Sequence, residues 1–374
     1  MKQRKQKILC FVTNDLNQDQ RMHRICRTMA AMGFEVTLTG RTKSNSLPLL
    51  EMPFKQHRVK CVFNKGLLFY AEYNIRIWWL ILLSPVDIIY SVDTDTLPGC
   101  TMGKWMKRKK LIFDSHEYFT EVPELADRRI KKAVWRQVEN CCIPYADRCL
   151  TVNHSLSDLF SGRFSKVFIP VYNVPGDHIS VNNSLLNNEI RTESYILYQG
   201  VLNRGRGLEE MIAAMQWIQD MRLVIAGEGD LSDELRKLAS ESPASDRITF
   251  TGWLAPEDLK ALTREAKIGL NLLHGNSLNY YYSLANKFFD YMQAGVPSLN
   301  MDFPEYRYII DQYDNGYITD TLAPEALAAE INAILQDSNT YNKKQMNSLK
   351  AAEVFNWEKE SEKIRKVVLE LSGV

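Results

Sequence analysis

Residues 282–297 read Y-S-L-A-N-K-F-F-D-Y-M-Q-A-G-V-P, and the organisation of the chain can be read outward from them. A polar loop over 280–285 leads to Asn286, a residue suited to capping a helix, and Gly295 followed by Pro297 stops that helix. Lys287 and Asp290 are three apart and share one helix face, while Phe288, Phe289, Tyr291 and Met292 supply apolar surface for burial. A helix start with free N–H groups and a lysine in its first turn suits an anion such as a phosphate. A carboxylate one turn deeper can accept hydrogen bonds from a sugar's hydroxyls. Taken alone, the same spacing favours an ordinary amphipathic helix with a surface ion pair. The surrounding sequence decides between them.

The chain has 374 residues, which suits two domains, and an apolar fraction of 45%, enough for two cores. A formal net charge of +1 argues against a protein built to grip nucleic acid through a strong positive field. All seven cysteines lie in the first half without a CxxC pair, which fits free thiols in a reducing compartment. After M-K-Q-R-K-Q-K, the run I-L-C-F-V is too brief for a signal sequence and reads as the first buried strand. The most hydrophobic stretch, 75–83 (I-R-I-W-W-L-I-L-L), contains Arg76, stops before Pro85 and is too short to span a bilayer; it reads as a core helix packed on a sheet in preference to a helix dipping into a membrane.

The first half alternates strand and helix patterns: strand 8–12, helix 21–32 ended by Gly33, strand 34–39, a strand near 59–63, the Trp-rich helix, strand 86–92, a helix from about 98 to 106, and strand 111–114. A second unit with the same wiring follows an asparagine-rich tract, with strands at 195–199, 222–226, 248–251, 268–273 and 297–300. Helices at 208–215, 231–239 and 256–266 come between them, and another at 324–335 follows the last strand. The expectation is α/β: two doubly wound Rossmann-like domains, each a parallel sheet binding ligands at the carboxyl ends of its strands. The domains are expected at 1–180 and 195–352, joined by a linker at 181–194, with a charged C-terminal helix in 353–374 packing back on the first domain.

Polar and glycine-rich turns at those carboxyl ends are the candidate ligand groups. G-V-L-N-R-G-R-G-L, 200–208, combines crowd-relieving glycines with arginines that can fork onto phosphate oxygens, without Walker or G-x-G-x-x-G spacing. A-G-E-G-D, 226–230, is a second glycine turn, and Trp253 follows the next strand, either to stack on a base or to fill a core. In the first domain, T-N-D-L-N-Q-D-Q-R-M-H-R, 13–24, is dense in hydrogen-bonding groups. D-S-H-E-Y-F, 114–119, puts His116 at the end of a parallel strand, where an imidazole can orient a hydroxyl or stabilise a charged intermediate. S-V-D-T-D-T, 91–96, contains D-x-D, but no metal is expected, because the cationic candidates Arg204, Arg206 and Lys287 can serve a diphosphate instead.

This constellation resembles a retaining GT-B glycosyltransferase of group 1, family 4, over nearly the whole chain. The A-N-K-F-F-D-Y-M-Q-A-G-V-P run matches the family's P-x-K-x-x-E-Y-M-x-x-G-x-P motif, D-S-H-E its first-domain histidine motif, and F-N-W its returning C-terminal helix. Asp290 stands where the family has a ribose-binding glutamate, Tyr282 where it has the first acid of E-x7-E, and Val201 and Arg206 at its basic pair. The resemblance implies a nucleotide diphosphate sugar donor, a glycan or lipid-linked acceptor, no cofactor and no metal. It implies His116, Arg206 and Lys287 as catalytic, and donor binding by Gly200, Arg204, Arg206, Gly227, Trp253, Ser283, Leu284, Ala285, Asn286, Lys287 and Asp290. Asn14, Asp15, Asp19, Arg21, Asp93 and Glu117 would line the acceptor side. It further implies surface polysaccharide synthesis, of capsule or lipopolysaccharide, in the cytoplasm at the inner face of a membrane, and the basic and aromatic content of 55–79 leaves room for peripheral attachment there. The substitutions at 201, 282 and 290 keep a catalytically silent binding subunit open as an alternative, and the architecture is shared with nucleotide-sugar epimerases.

Overall fold

The computed structural model describes residues 4–44, 46–122, 125, 128–176 and 194–373. Residues 181–193 of the expected linker lie outside them. The chain divides into two compact units, one formed by Met1–Asn173, Ser277–Asn279 and Trp357–Val374, the other by Val174–Asn276 and Tyr280–Asn356.

In the first unit the order is Lys7–Phe11 (β1), Gln20–Ala31 (α1), Glu35–Arg41 (β2), Lys55–Val59 (β3), Gly66–Leu83 (α2), Ile88–Val92 (β4), Asp93–Lys107 (α3), Lys110–Ser115 (β5), Arg129–Cys142 (α4), Arg148–Thr151 (β6), His154–Phe164 (α5) and Phe168–Pro170 (β7). Seven parallel strands align as β3-β2-β1-β4-β5-β6-β7. The direction of winding reverses between β1 and β4, so the loops after these two strands diverge and leave a ligand crevice at their carboxyl ends.

Three elements of this unit depart from expectation. The apolar helix read over 75–83 begins at Gly66. The strand expected near 59–63 lies at Lys55–Val59, and Val62 and Phe63 are exposed beyond it. The helix expected from about 98 starts five residues earlier, at Asp93, and holds Pro98 inside it. Proline displaces the chain from regular helical bonding. The Asn74 side chain makes good the gap: it accepts the Gly99 N–H at 2.8 Å and donates to the Asp95 carbonyl at 2.7 Å. A Cβ on Gly99 would sit 2.4 Å from the Asn74 carbonyl oxygen, so α2 and α3 approach here only because the residue is glycine.

The C-terminal helix, Trp357–Ser372, belongs to the first unit and packs on α1. Its Ile364, Val367 and Val368 enter the same core as Ile8, Cys10, Met22 and Ile25. Trp357 Nε1 donates to Thr28 Oγ1 at 3.2 Å, and buried Glu360 accepts the Tyr172 N–H at 2.8 Å.

The second unit runs Tyr195–Gln199 (β8), Leu208–Ala214 (α6), Arg222–Ala226 (β9), Ser232–Glu241 (α7), Ile248–Gly252 (β10), Pro256–Glu265 (α8), Ile268–Asn271 (β11), Asn286–Ala294 (α9), Ser298–Met301 (β12), Pro304–Tyr313 (α10), Gly316–Thr319 (β13), Pro324–Gln336 (α11) and Ser338–Ala352 (α12). Six parallel strands align as β10-β9-β8-β11-β12-β13, reversing between β8 and β11. Every residue of β8 and β11 is buried, as expected of strands covered on both faces. Both units are thus doubly wound parallel sheets.

Ile364 is fully buried against α1 and β1. Ile364→Ala should lower unfolding stability by about 2–5 kcal/mol. Urea denaturation checks this, and a loss below about 1 kcal/mol would show that the C-terminal helix is not integral to the core.

Candidate functional site

In the second unit, the chain at the carboxyl ends of β8 and β9 is drawn tightly together. Gly200 N–H donates to the Ala226 carbonyl, and Gly227 N–H to the Gly252 carbonyl, both at 2.9 Å. Gly227 adopts φ +141°, and a Cβ there would lie 1.9 Å from the Gly200 carbonyl oxygen, so no other residue fits. Over Gly200 lies the Lys287 side chain: a Cβ on Gly200 would be 3.6 Å from both Cε and Nζ.

Lys287 comes from the first turn of α9. Ala285, not Asn286, holds the cap position and has no side chain to cap with; Asn286 is the first helical residue and is exposed. The expected loop over 280–285 is likewise shortened, because Tyr280 and Tyr281 end a helical turn, Leu278–Tyr281. The Ala285 N–H donates to the Tyr306 hydroxyl at 3.0 Å, and Ser283 Oγ to the Tyr280 carbonyl at 2.8 Å. Gly295, at φ +69°, ends the helix as expected. Phe288, Phe289, Tyr291 and Met292 are all buried, so the Lys287 backbone is set by the core.

Lys287 is buried, with Nζ 3.5 Å from the centre of the Tyr198 ring. Burial and then the nearby Arg206 charge hold its ammonium well below the usual lysine range, and Asp290 only partly offsets them. The Arg206 guanidinium stacks on Tyr280, 5.1 Å from the ring centre, and its buried Nε has no hydrogen-bond partner among the described residues. Two cations therefore stand together on aromatic faces, and among the described residues neither forms an ion pair. The arrangement is built to take up an anion.

Asp290 lies on the same helix but faces a different neighbour, accepting from Gln199 Nε2 at 2.9 Å; Thr263 Oγ1 donates to Gln199 Oε1 at 2.7 Å. These residues line a recess of about 170 Å³ with Pro175, Lys260 and Arg264. Arg204 is exposed, as is Trp253, at 75%, which removes the reading of Trp253 as a core residue. Tyr198, Gln199, Thr263 and Tyr280 went unnoticed in the sequence. The position of the first two at the end of β8 was the available signal.

In the first unit, Asp114 is the buried hub. Arg21 approaches it in a fork, Nη2 to Oδ1 at 3.0 Å and Nε to Oδ2 at 3.4 Å. The Tyr90 hydroxyl donates to Oδ2 at 2.8 Å, and His116 Nε2 meets the same oxygen at 3.1 Å. Burial would raise the Asp114 carboxyl, but the Arg21 and His116 charges outweigh it and hold it well below the usual carboxylate range. Burial would likewise lower His116, but the charges of Asp114 and then Asp93 lift it above the ordinary 6.5.

His116 borders a cavity of about 750 Å³ at the reversal between β1 and β4, with Thr13, Asn14, Asp93, Asp95 and Glu117 at its polar end and Tyr70, Phe119 and Trp135 along its apolar wall. Asp93 accepts the His116 N–H at 2.7 Å and takes φ +55°, a strained position at the start of α3. Burial pushes the Asp93 carboxyl well up, and burial pushes Asp95 up to about 7 despite a 2.6 Å hydrogen bond from Thr13 Oγ1. Among the described residues, Asp95 Oδ1 is buried without a partner.

The structure thus brings Asn14, Asp93, His116 and Glu117 together and leaves Asp15, Asp19 and Arg21 out of the cavity lining. Asp15 is occupied by Arg58, Ser46 and the Asn17 N–H; Asp19 caps α1 through the Met22 N–H; Arg21 serves Asp114 and the Val171 carbonyl. D-x-D had been weighed only as a metal pattern, so Asp95 and its partner Thr13 were missed.

Both units match GT-B glycosyltransferase structures. Sucrose-phosphate synthase from Thermosynechococcus elongatus aligns over 99% of this chain and 100% of its own, at a TM-score of 0.78 and 17% identity. HepE of Anabaena, in complex with UDP-glucose, aligns over 97% and 99%, at 0.75 and 14%. The fold is GT-B. Residues 186–351 match the family model for glycosyl transferases group 1, in keeping with the resemblance of the K-F-F-D motif within them. An uncharacterised glycosyltransferase of Methanocaldococcus jannaschii is 26% identical over 48% of this chain and 47% of its own length, so that match spans about half of the curated relative.

With its pKa raised, His116 contributes stability that is fully present below 6.5 and is lost as pH rises through its folded value. NMR titration of the imidazole should give a midpoint above 6.5, and Asp114→Asn should lower it. A wild-type midpoint below 6.5 would break the reading that Asp114 favours the charged imidazole of His116.

Proposed function

We propose that this protein is a retaining glycosyltransferase that moves a sugar from a nucleotide diphosphate donor to a glycan or lipid-linked acceptor, in surface polysaccharide synthesis on the cytoplasmic side of a membrane. The observation that carries the reading is the pair Lys287 and Arg206, two cations on aromatic faces beside the crossed turns at Gly200 and Gly227. Loss of a diphosphate leaving group develops negative charge there, and preorganised cations are the largest electrostatic aid to such a step. This role is one a metal ion fills in other enzymes.

Asp290, oriented by Gln199, would accept the ribose hydroxyls; the shorter aspartate reaches less far than a glutamate, and the Gln199 amide fixes its direction. Exposed Trp253 would stack on the base, Arg204 would fold over the phosphates, and residues 283–286 would line the donor sugar. On the first unit, Asn14, Asp93 and Glu117 would hold acceptor hydroxyls, and His116 would stabilise charge at the reacting sugar. HepE, described in complex with UDP-glucose, makes UDP the first probe of the donor site.

Anion binding requires charged Lys287, whose ammonium is destabilised in the free protein. UDP should therefore bind with proton uptake, and its affinity should fall as pH rises through the Lys287 value. Isothermal titration in two buffers of different ionisation enthalpy measures the uptake. Lys287→Met should weaken UDP by roughly 10- to 100-fold and abolish the uptake. UDP, GDP and ADP should be compared, followed by a panel of nucleotide sugars. An unchanged affinity in Lys287→Met would refute the donor site, and tight binding without turnover across sugars and acceptors would favour the silent subunit.

A further inference from the structure

Helix α2 is apolar on both sides. Phe69, Tyr73, Ile77 and Ile81, four residues apart, are buried on one side. On the opposite side Leu68, Ile75, Trp79 and Leu83, spaced by four to seven residues, are exposed at 61%, 55%, 51% and 78%. A helix that is hydrophobic all round is expected to be covered on all sides, yet among the described residues nothing covers this one. Among the described residues no helix is long and apolar enough to cross a membrane.

The apolar strip continues onto α3. Met102, Trp105 and Met106 share one exposed face, and Trp78 Nε1 donates to Met106 Sδ at 3.2 Å, joining the two helices. Around the strip the charge is basic. Five of the seven residues 104–110 are Lys or Arg in K-W-M-K-R-K-K, and Lys65 stands at the start of α2. The carboxylates nearby are matched: Glu72 pairs with Arg76, Asp147 with Lys104 and Asp87 with Lys109. Lys65, Arg108 and Lys110 are left exposed without an ion pair among the described residues.

We infer that the exposed faces of α2 and α3 form a surface that docks on a bilayer containing anionic lipid. Aliphatic and tryptophan side chains flanked by unpaired cations are the composition that holds a helix in the plane of such an interface. A partner protein of ordinary composition would not need the basic rim, and a second copy would bring the same positive charges face to face. The strip also runs to the cavity: Lys65, Gly66 and Leu67, at the start of α2, belong to the lining that contains His116 and Asp93. A lipid-linked acceptor lying in the bilayer would thus meet the cavity at the end of the docked helix. That last point rests on the proposed transferase reading; the docking itself does not.

The test is co-sedimentation of the full chain with vesicles of phosphatidylcholine, with and without phosphatidylglycerol. The wild type should bind the anionic vesicles, less so at high salt, with a blue shift of tryptophan emission. Ile75→Glu combined with Trp79→Glu should weaken binding by at least roughly tenfold, and Arg108→Glu with Lys110→Glu should do the same for anionic vesicles only. All four positions are exposed and lie outside the cavity and the donor site, so melting temperature and UDP affinity should stay unchanged. Absence of vesicle binding, or binding that survives the Ile75→Glu, Trp79→Glu pair, would overturn the inference. So would a lipid-free dimer, seen by light scattering, that this pair converts to monomer. UDP binding measured on the same samples reports on the donor site separately.

Discussion

The first unit depends on the burial of one carboxylate. Asp114 lies at the end of β5 with no exposed surface, and an ion so placed costs several kcal/mol unless its oxygens are satisfied. Arg21 from α1, Tyr90 from β4 and His116 from the loop beyond β5 all converge on it, so the hub ties together the elements on both sides of the reversal point. Arg21 extends the link to the Val171 carbonyl after β7. Removing either member of the Arg21–Asp114 pair would strand a buried charge, at a cost of about 3–5 kcal/mol. The hub also has a chemical consequence at the cavity. It favours the charged form of His116 on the rim of a space where Asp93 and Asp95 are pushed toward their neutral forms by burial.

The second unit solves the opposite problem. Its site needs positive charge that is not cancelled, and it holds Lys287 and Arg206 on the faces of Tyr198 and Tyr280 rather than on carboxylates. An aromatic face attracts a cation through its quadrupole but carries no net charge, so the field of the two cations remains for an incoming anion. The cost appears in the depressed Lys287 ammonium. It is borne by helix α9, whose four buried apolar residues keep the lysine in place whether or not an anion is present.

How much of this the sequence disclosed follows from range. Strands β8 and β9 were read to the residue, because strands buried on both faces are continuous apolar runs bounded by polar turns. The cap of α9 was misassigned, because Asn286 is a good capping residue in isolation and nothing local favours Ala285. Helix α3 was started too late because Pro98 was read as its beginning; the bridge that lets a proline sit inside comes from Asn74, 24 residues away. The site was legible in part for the same reason. Glycine and cation positions in the turns are local signals, whereas the choice of Asp15, Asp19 and Arg21 as ligand groups failed to foresee partners from β3, β5 and the turn after β7.

Helix α2 shows a further limit. Hydrophobic periodicity locates the buried side of a helix only when the other side is polar. In 66–83 both sides are apolar, so the sequence suggests a helix buried all round. The structure corrects this: it buries one side and leaves Leu68, Ile75, Trp79 and Leu83 exposed on the other. One side is taken by α3 and the core around Tyr73, whose hydroxyl donates to the Val12 carbonyl at the end of β1. That bond fixes the helix to the strand whose following loop opens the cavity, so the orientation of the exposed side follows from the same contact that shapes the site. An apolar strip fixed in this way is rigidly registered to His116 and Asp93 rather than attached by a mobile arm. Whatever covers the strip therefore sits at a defined position relative to the cavity mouth.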